Sequence, residues 1–236
     1  MAEDKDCVYY NLDKAILHVK NAAESFLNGL TSNDMDKPSN AFLDIHGKII
    51  ATFNQMRVSR EEYYLLIERP FIKEVLNHLD KYLCLSRSTA SVLDNKFSIF
   101  FDMGDHYLLN RDEFMIPQKK GKIVLTPRGA RSRPVSQEEF TLFRLKNKIP
   151  VHGADYTREF VLNVDEEEFV SYTKGCFLGQ EFVAKVHSRS KPSWKLTVKA
   201  EDDCDEEEKK RMTSKAFDKE SGKTIGFVFI RTDKGN

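Results

Sequence analysis

The segment 174–181 contains the residues whose types and spacing best suit chemistry, a single thiol between two glycines. In chain order it reads Lys174, Gly175, Cys176, Phe177, Leu178, Gly179, Gln180 and Glu181. Two glycines around one cysteine favour close backbone approach or unusual backbone dihedrals. An apolar repeat after Gln180 predicts a short helix, and its unpaired amides, together with Lys174, would favour the Cys176 thiolate. A buried structural cysteine fits the same spacing, so both interpretations stay open from these residues alone.

The remaining cysteines and the histidines show no spacing typical of a metal site. Cys7, Cys84 and Cys204 stand far from Cys176 and form no CxxC pair, so neither a disulfide framework nor a zinc site is predicted. Because Fe–S clusters normally take four cysteine ligands with defined spacing, we do not expect this chain alone to hold a stable cluster. None of the histidines forms a pair at i,i+4; they are His18, His46, His78, His106, His152 and His187.

Composition excludes several classes of protein. The 37 Lys and Arg residues offset the 37 Asp and Glu residues, which argues against a domain held to nucleic acid by bulk positive charge. With 40% hydrophobic and 31% charged residues, the chain is typical of a globular fold rather than a disordered one. No apolar run approaches the ~18 residues that span a bilayer. Residues 1–6 resemble neither a secretory leader nor a transit peptide, so we expect a cytoplasmic protein without a membrane partner.

Hydrophobic periodicity predicts an α+β fold with antiparallel sheets. The 236 residues suffice for one large domain or two modest ones. The pattern predicts strands at 15–19, 41–45, 49–58, 63–67, 122–126 and 226–230. It predicts helices at 22–30, from Pro70 onward, and from the capping box of Ser136 and Glu139 through Leu145. Two hairpins are predicted, one through residues 46–48 and one through residues 94–96, the latter between strands at 88–93 and 97–103.

Charged residues cluster in three segments. Residues 118–134 contain six Lys and Arg residues and no acidic residue, which fits a solvated loop or a site for anions and RNA phosphates. Residues 165–168 and 201–208 are acidic runs, and we interpret both as solvated loops or linkers because packed like charges repel one another.

The segment 174–181 resembles the K-G-C-[FY]-x-G-Q-E signature of the YgfZ family, the folate-binding relatives of the glycine-cleavage T-protein (GcvT) that assist iron–sulfur proteins. Residues 26–34 look like the family's F-L-x-G-x-x-T-x-D segment, and residues 43–49 look like its strand-Gly-Lys-strand hairpin. The resemblance covers roughly residues 10–190 and the last strand. The other similar stretches are Ile149-Pro150 followed by Asp155, and residues 222–228, which resemble the end of a C-terminal barrel.

This resemblance implies a T-protein-like body of two intertwined α/β halves around a central channel, residues 1–190. An abbreviated C-terminal β-barrel would follow, residues 191–236. It implies tetrahydrofolate or a derivative as the cofactor, bound in the channel by an apolar slot, polar groups and cations. Cys176, with Lys174, Gln180 and Glu181 around it, becomes the functional centre. Candidate polar residues of the channel wall are Asn33, Asp34, Arg144 and Asp155.

The leading hypothesis is therefore a tetrahydrofolate-binding accessory protein for assembly or repair of iron–sulfur enzymes, acting through the Cys176 thiol. Its partners would be folate and iron–sulfur client enzymes. A folate-dependent aminomethyltransferase is the first alternative, but the strand at 49–53 lacks the carboxylate that T-proteins have there. General acid–base groups contribute ~10²- to 10⁴-fold to catalysis, so turnover is not the leading expectation. The second alternative is a tRNA-binding module that uses residues 119–133.

Overall fold

The computed structural model describes residues 8–93, 96–104, 109–127, 129 and 134–232. The strands of this part of the chain form three sheets with antiparallel neighbours. In chain order they are β1 (Tyr9–Asn11), β2 (Lys14–Lys20), β3 (Ser39–Leu43), β4 (Ile49–Ser59), β5 (Glu62–Glu68), β6 (Thr89–Leu93), β7 (Ser98–Asp102), β8 (Phe114–Pro117), β9 (Lys122–Thr126), β10 (Trp194–Ala200), β11 (Thr213–Asp218) and β12 (Lys223–Arg231). The mixture of helices and antiparallel sheets agrees with the predicted α+β class.

The α-helices cover the sheets and connect them. They are α1 (Ala23–Asn28), α2 (Ile72–Leu83), α3 (Gln137–Lys146), α4 (Val161–Val164), α5 (Glu166–Phe169), α6 (Gln180–Arg189) and α7 (Glu206–Arg211). Pro70 lies in a short 3-10 turn just before α2, because proline needs no amide partner at a helix start. The predicted capping box of α3 is present: the Ser136 side chain accepts from the Glu139 amide, and the Glu139 side chain accepts from the Ser136 amide.

The first sheet has the strand order β3-β4-β5-β2-β6 and is buried on both faces. Leu17 and Val19 of β2 pack with α1 and α2 on one face. Ile16, which points the opposite way, packs against the second sheet on the other face. Successive side chains of a strand alternate between faces, so a strand covered on both sides reads as a continuous apolar run.

The second sheet has the order β1-β7-β9-β8 and packs face to face against the first. Along the chain, its strands lie before and after those of the first sheet: β1 precedes β2, and β7 follows β6. The strands of the two sheets are therefore interleaved along the chain.

The predicted hairpin between residues 88–93 and 97–103 is wrong, although both strands form. Strand β6 pairs with β2, whereas β7 lies between β1 and β9 in the other sheet. Each strand finds an apolar neighbour from a distant part of the chain, and a short polar connection does not by itself specify a hairpin. Asp94 and Asn95 lie outside the described residues.

The C-terminal strands form an open sheet in the order β10-β12-β11. Within the described residues this three-stranded sheet does not close, which corrects the expected β-barrel. Its buried residues Leu196 and Phe227 share an apolar cluster with Leu145 of α3 and Val161 of α4. The sheet thus packs on the preceding body, and the domain boundary after residue 190 stays a prediction.

The two acidic runs are not loops throughout, which corrects their interpretation as linkers. The Asp165 side chain caps α5, and Asp205 forms a capping box with Glu208 at the start of α7. Carboxylates at a helix N-terminus accept from free amides and oppose the positive end of the helix dipole. This favourable placement offsets their mutual repulsion.

None of the described helices combines the length and the apolar composition that a membrane span requires.

Candidate functional site

A cavity of about 300 Å³ lies between the two large sheets and α3. Its lining comes from β1, β2, β4, β5, β7 and β9, from α3 and α5, and from connecting loops, mainly the one between α3 and α4. That this cavity is the ligand channel implied by the resemblance stays a prediction. Aromatic side chains form much of its wall; they are Tyr10, Phe53, Phe101, Phe140, Tyr156 and Phe169.

Tyr10 and Phe140 form a flat aromatic surface in the cavity wall. Their rings stack nearly parallel, with centroids 4.1 Å apart and an interplanar angle of 9°. The Tyr10 hydroxyl donates to the Gln137 side chain, which fixes the ring on α3. A surface of this kind binds planar heterocycles through apolar and stacking contacts.

Strand β4 contributes the polar part of the wall. Thr52 and Asn54 line the cavity, whereas Ala51 packs in the cluster below α1 and α2, as the alternation of a strand requires. Thr52 Oγ1 and the Tyr156 hydroxyl are hydrogen-bonded at 2.6 Å, and Asn54 Nδ2 donates to Gln118 Oε1 at 3.3 Å. Burial raises the pKa of Tyr156 well above its ordinary value, so its hydroxyl stays protonated. This strand brings hydroxyl and amide groups to the cavity, with no carboxylate.

Charged groups in the cavity wall are largely paired. Lys14 Nζ lies 2.5 Å from Glu68 Oε1, and Lys119 Nζ lies 3.0 Å from Glu168 Oε2. Because each carboxylate already faces an ammonium group, a ligand in the cavity meets little uncompensated charge.

Arg144 lines the cavity, as expected, but its guanidinium is committed to a buried ion pair. Arg144 Nη1 lies 2.8 Å from Asp155 Oδ2, and Arg144 Nη2 donates to Ser214 Oγ at 2.9 Å. Asp155 does not line the cavity; it also accepts from the Val151 amide and the Thr213 hydroxyl. The structure therefore shows this pair joining α3, the following loop and β11, and direct ligand contacts by Arg144 or Asp155 stay a prediction.

Asn33 and Asp34 lie in a turn beside the cavity rather than in its wall. The side-chain amide of Asn33 is engaged within the protein. Its Nδ2 donates to the carbonyls of Ser39 and Glu168, at 3.1 Å and 2.8 Å. The fully buried Asn40 side chain fixes the same turn, accepting from the Asn33 backbone amide at 2.7 Å. Asp34 borders a separate surface depression. Since Glu168 lines the cavity, Asn33 positions part of its wall.

Lys174 of the 174–181 segment reaches the same turn. Its Nζ donates to the carbonyls of Thr31 at 2.6 Å and Asn33 at 2.8 Å, and lies 5.4 Å from the Phe177 ring centre. Burial lowers its pKa to about 8, although Asp34 opposes this shift. The ammonium group thus faces backbone carbonyls, and a fraction of it is neutral near pH 8. The three segments noted for their resemblance meet here, since Leu178 also bonds to Gly29 and Gly179 packs on Asp44.

Cys176 is exposed to solvent and does not line the cavity. It lies four residues before α6, which begins at Gln180 with Glu181 in its first turn. Phe177 is buried in the apolar cluster under the C-terminal sheet and anchors the segment. The alternative of a buried structural cysteine is therefore wrong for Cys176, and its chemical role stays a prediction.

The basic segment is only partly available for a nucleic acid. Lys119 pairs with Asp165 and Glu168, and Lys122 Nζ lies 3.4 Å from Asp102 Oδ2. Three other basic residues of the predicted RNA site lie outside the described part of the chain: Arg128, Arg131 and Arg133.

The sequence did not single out His152, which lines the cavity and whose ring nitrogens have no hydrogen-bond partner among the described residues. Its side chain is buried and stacks on Phe71 with ring centres 3.7 Å apart. Burial lowers the pKa of His152 to about 4, although the Thr157 backbone opposes the shift, so the ring is neutral at physiological pH. Nothing in the spacing of the histidines distinguishes this one, because its environment comes from residues distant in sequence.

Comparison with known proteins shows a similar fold in a solved structure. No protein-family model matches the chain. An uncharacterized protein of Haemophilus influenzae is 27% identical over 192 residues, which cover 71% of this chain and 63% of that protein's length. The crystal structure of glycine cleavage system aminomethyltransferase T from Bartonella henselae is similar, with a TM-score of 0.73 and 14% sequence identity, over 95% of this chain and 78% of that one. At this identity the likeness shows the fold alone, and it supports the T-protein-like architecture.

Proposed function

From this aminomethyltransferase-like fold and its cavity, we propose that the protein binds tetrahydrofolate, or a derivative, between the two large sheets. The observation that supports this most is the chemistry of the cavity wall, which contains both a stacked aromatic pair and the hydroxyl and amide groups of β4. A pterin ring is flat and carries donors and acceptors along its edge. Aromatic faces with a few placed polar groups are what such a ligand requires.

The size of the cavity restricts how folate would lie in it. About 300 Å³ is at the lower end of the range for small-molecule pockets. We therefore assign the enclosed space to the pterin head and place the aminobenzoyl-glutamate tail toward solvent. The paired state of Lys14 and Glu68 agrees with a neutral head group in the interior.

Calorimetric titration with tetrahydrofolate tests this assignment. We expect saturable 1:1 binding, and about tenfold weaker binding for Asn54→Leu, which keeps the approximate side-chain volume but removes the amide. Asn77→Leu, an exposed position on α2, is the matched control and should bind as the wild type does. Absence of saturable binding to the wild-type protein would show that this cavity is not a folate site.

We further propose that the folate-bound protein assists assembly or repair of iron–sulfur enzymes through Cys176. Support comes from the resemblance of residues 174–181 and from the exposure of the thiol, which leaves its sulfur accessible to a partner protein. Thiolate sulfur is a soft ligand that suits iron and sulfur species. Lys174 holds the turn behind the thiol segment, so we assign it a positioning role.

A complementation experiment tests the thiol. In a strain that lacks the gene and has low iron–sulfur enzyme activity, Cys176→Ser should fail to restore that activity. Cys84→Ser is the control, because Cys84 is also an exposed free thiol but lies outside the segment. Full restoration by Cys176→Ser would remove the proposed role of the thiol and leave folate binding untouched.

A folate-dependent aminomethyl transfer is the second candidate, and the fold similarity favours it. The β4 residues that line the cavity, Thr52, Phe53 and Asn54, include no carboxylate to serve as an acid–base group. Steady formation of methylene-tetrahydrofolate from an aminomethyl-loaded carrier would decide for transfer over the accessory role.

A further inference from the structure

The ring of His152 combines deep burial with incomplete hydrogen bonding. It is 4% exposed and lines the central cavity together with Tyr156, whose ring centre is 5.3 Å away. Among the described residues, neither ring nitrogen has a hydrogen-bond partner of acceptable geometry. The Phe71 ring covers one face of the imidazole, which restricts its orientation.

Leaving both nitrogens unsatisfied is unfavourable for the ligand-free protein. Buried polar atoms are almost always hydrogen-bonded, since burial removes their bonds to water without replacing them. A phenylalanine would stack equally well on Phe71 without this cost. The Thr157 backbone is near enough to oppose the lowering of the pKa of His152, but it makes no hydrogen bond of acceptable geometry with the ring. The position therefore holds a polar ring whose hydrogen-bonding capacity the surrounding protein leaves unfilled.

A neutral imidazole presents one donor and one acceptor in the plane of its ring. It carries no charge to neutralise an ionic group, and its donor and acceptor together complement an uncharged edge that carries both an acceptor and a donor. The hydrogen-bonded pair of Thr52 and Tyr156 lies in the same wall. Lys14, whose charge contributes to the lowered pKa of His152, is paired with Glu68, so the uncommitted polar atoms beside His152 are uncharged.

We propose that His152 is a specificity-determining residue that hydrogen-bonds the uncharged polar edge of a heterocycle bound in the central cavity. The inference rests on the proposed function, because it assigns the pterin head of tetrahydrofolate, rather than the anionic tail, to this contact. Binding satisfies ring nitrogens that are unpaired in the free protein, so the histidine lowers stability without ligand and raises affinity with it.

The substitution His152→Phe separates these two effects. It keeps the stack on Phe71 and removes both nitrogens, so we expect a higher Tm for the free protein and about tenfold weaker tetrahydrofolate binding. Tetrahydropterin, the head group alone, should lose affinity by the same factor, whereas p-aminobenzoylglutamate should bind wild type and variant equally. His152→Gln, which retains a donor and an acceptor, should lose less affinity than His152→Phe.

His78→Phe is the matched control. His78 also has a pKa lowered by burial and an unpartnered ring nitrogen, Nε2, but it does not line the cavity. We expect no change in tetrahydrofolate affinity for this variant.

Three outcomes decide the inference. Equal tetrahydrofolate affinity of wild type, His152→Phe and His152→Gln would overturn the role of His152 and leave the proposed function standing. A lower Tm of His152→Phe with unchanged affinity would show a structural role and overturn it as well. Failure of the wild type to bind either tetrahydrofolate or tetrahydropterin would overturn the proposed function, and with it this assignment.

Discussion

Asp155→Ala is expected to lower the free energy of unfolding by about 3–5 kcal/mol, the usual cost of removing one partner of a buried ion pair. The Arg144 and Asp155 side chains are almost completely buried, 5% and 0% exposed, and 2.8 Å apart. Without the carboxylate, the Arg144 guanidinium stays in the interior with its charge uncompensated. Urea unfolding followed by circular dichroism measures the loss.

The effect should concentrate where the C-terminal sheet meets the body. Asp155 also accepts from Thr213 and Ser214 at the start of β11, at 3.0 Å and 2.5 Å. We therefore expect Asp155→Ala to accelerate amide hydrogen exchange more in β11 than in the first sheet.

Two further variants test whether the stability loss of Asp155→Ala comes from the unpaired charge of Arg144. Adding Arg144→Met to Asp155→Ala removes the unpaired charge and should recover part of the lost stability. Asp80→Ala, at an exposed position on α2, should change stability by less than about 0.5 kcal/mol. A loss below about 1 kcal/mol for Asp155→Ala would contradict the buried pair.

Gly179→Ala should destabilise the protein by about 2–3 kcal/mol, while Gly175→Ala should have almost no effect. Gly179 has φ of +85°, and a Cβ there would lie 2.4 Å from the Asp44 carbonyl oxygen. A left-handed conformation costs a non-glycine residue about 1–2 kcal/mol, and the collision must also displace the turn between β3 and β4. Thermal and urea unfolding of both variants measure the difference.

Gly175 is the internal control for this prediction. Its φ is not in the left-handed region, and a Cβ there would meet no atom within 4 Å. Of the two glycines that flank Cys176, only Gly179 is explained by backbone geometry. Similar destabilisation by both substitutions would show that the 174–181 segment is packed differently from this structure.

Much of the local structure follows from the sequence. The apolar runs of β2, β4 and β5 and the capping box of α3 can be predicted because they depend on neighbours in the chain. The position of the thiol segment just ahead of α6 is also predicted, although spacing did not distinguish an exposed Cys176 from a buried one.

Strand pairing and the hydrogen-bond partners of polar side chains could not be predicted from the sequence in the same way. Strands β6 and β7 are adjacent in sequence but belong to different sheets, because each is selected by a distant apolar partner. Asp155 and Asn33 were expected to face a ligand; the structure engages Asp155 with Arg144 and β11, and Asn33 with the backbone of Ser39 and Glu168.

The sequence by itself determined the α+β class, most of the strands and helices, and a distinctive thiol segment. Only the tertiary structure decided that a cavity lies between the sheets, that Arg144 is held in an ion pair, and that His152 lines the wall without a partner. The physical reason is that periodicity and capping act over a few residues, whereas burial and hydrogen-bond satisfaction depend on contacts between segments far apart in the chain.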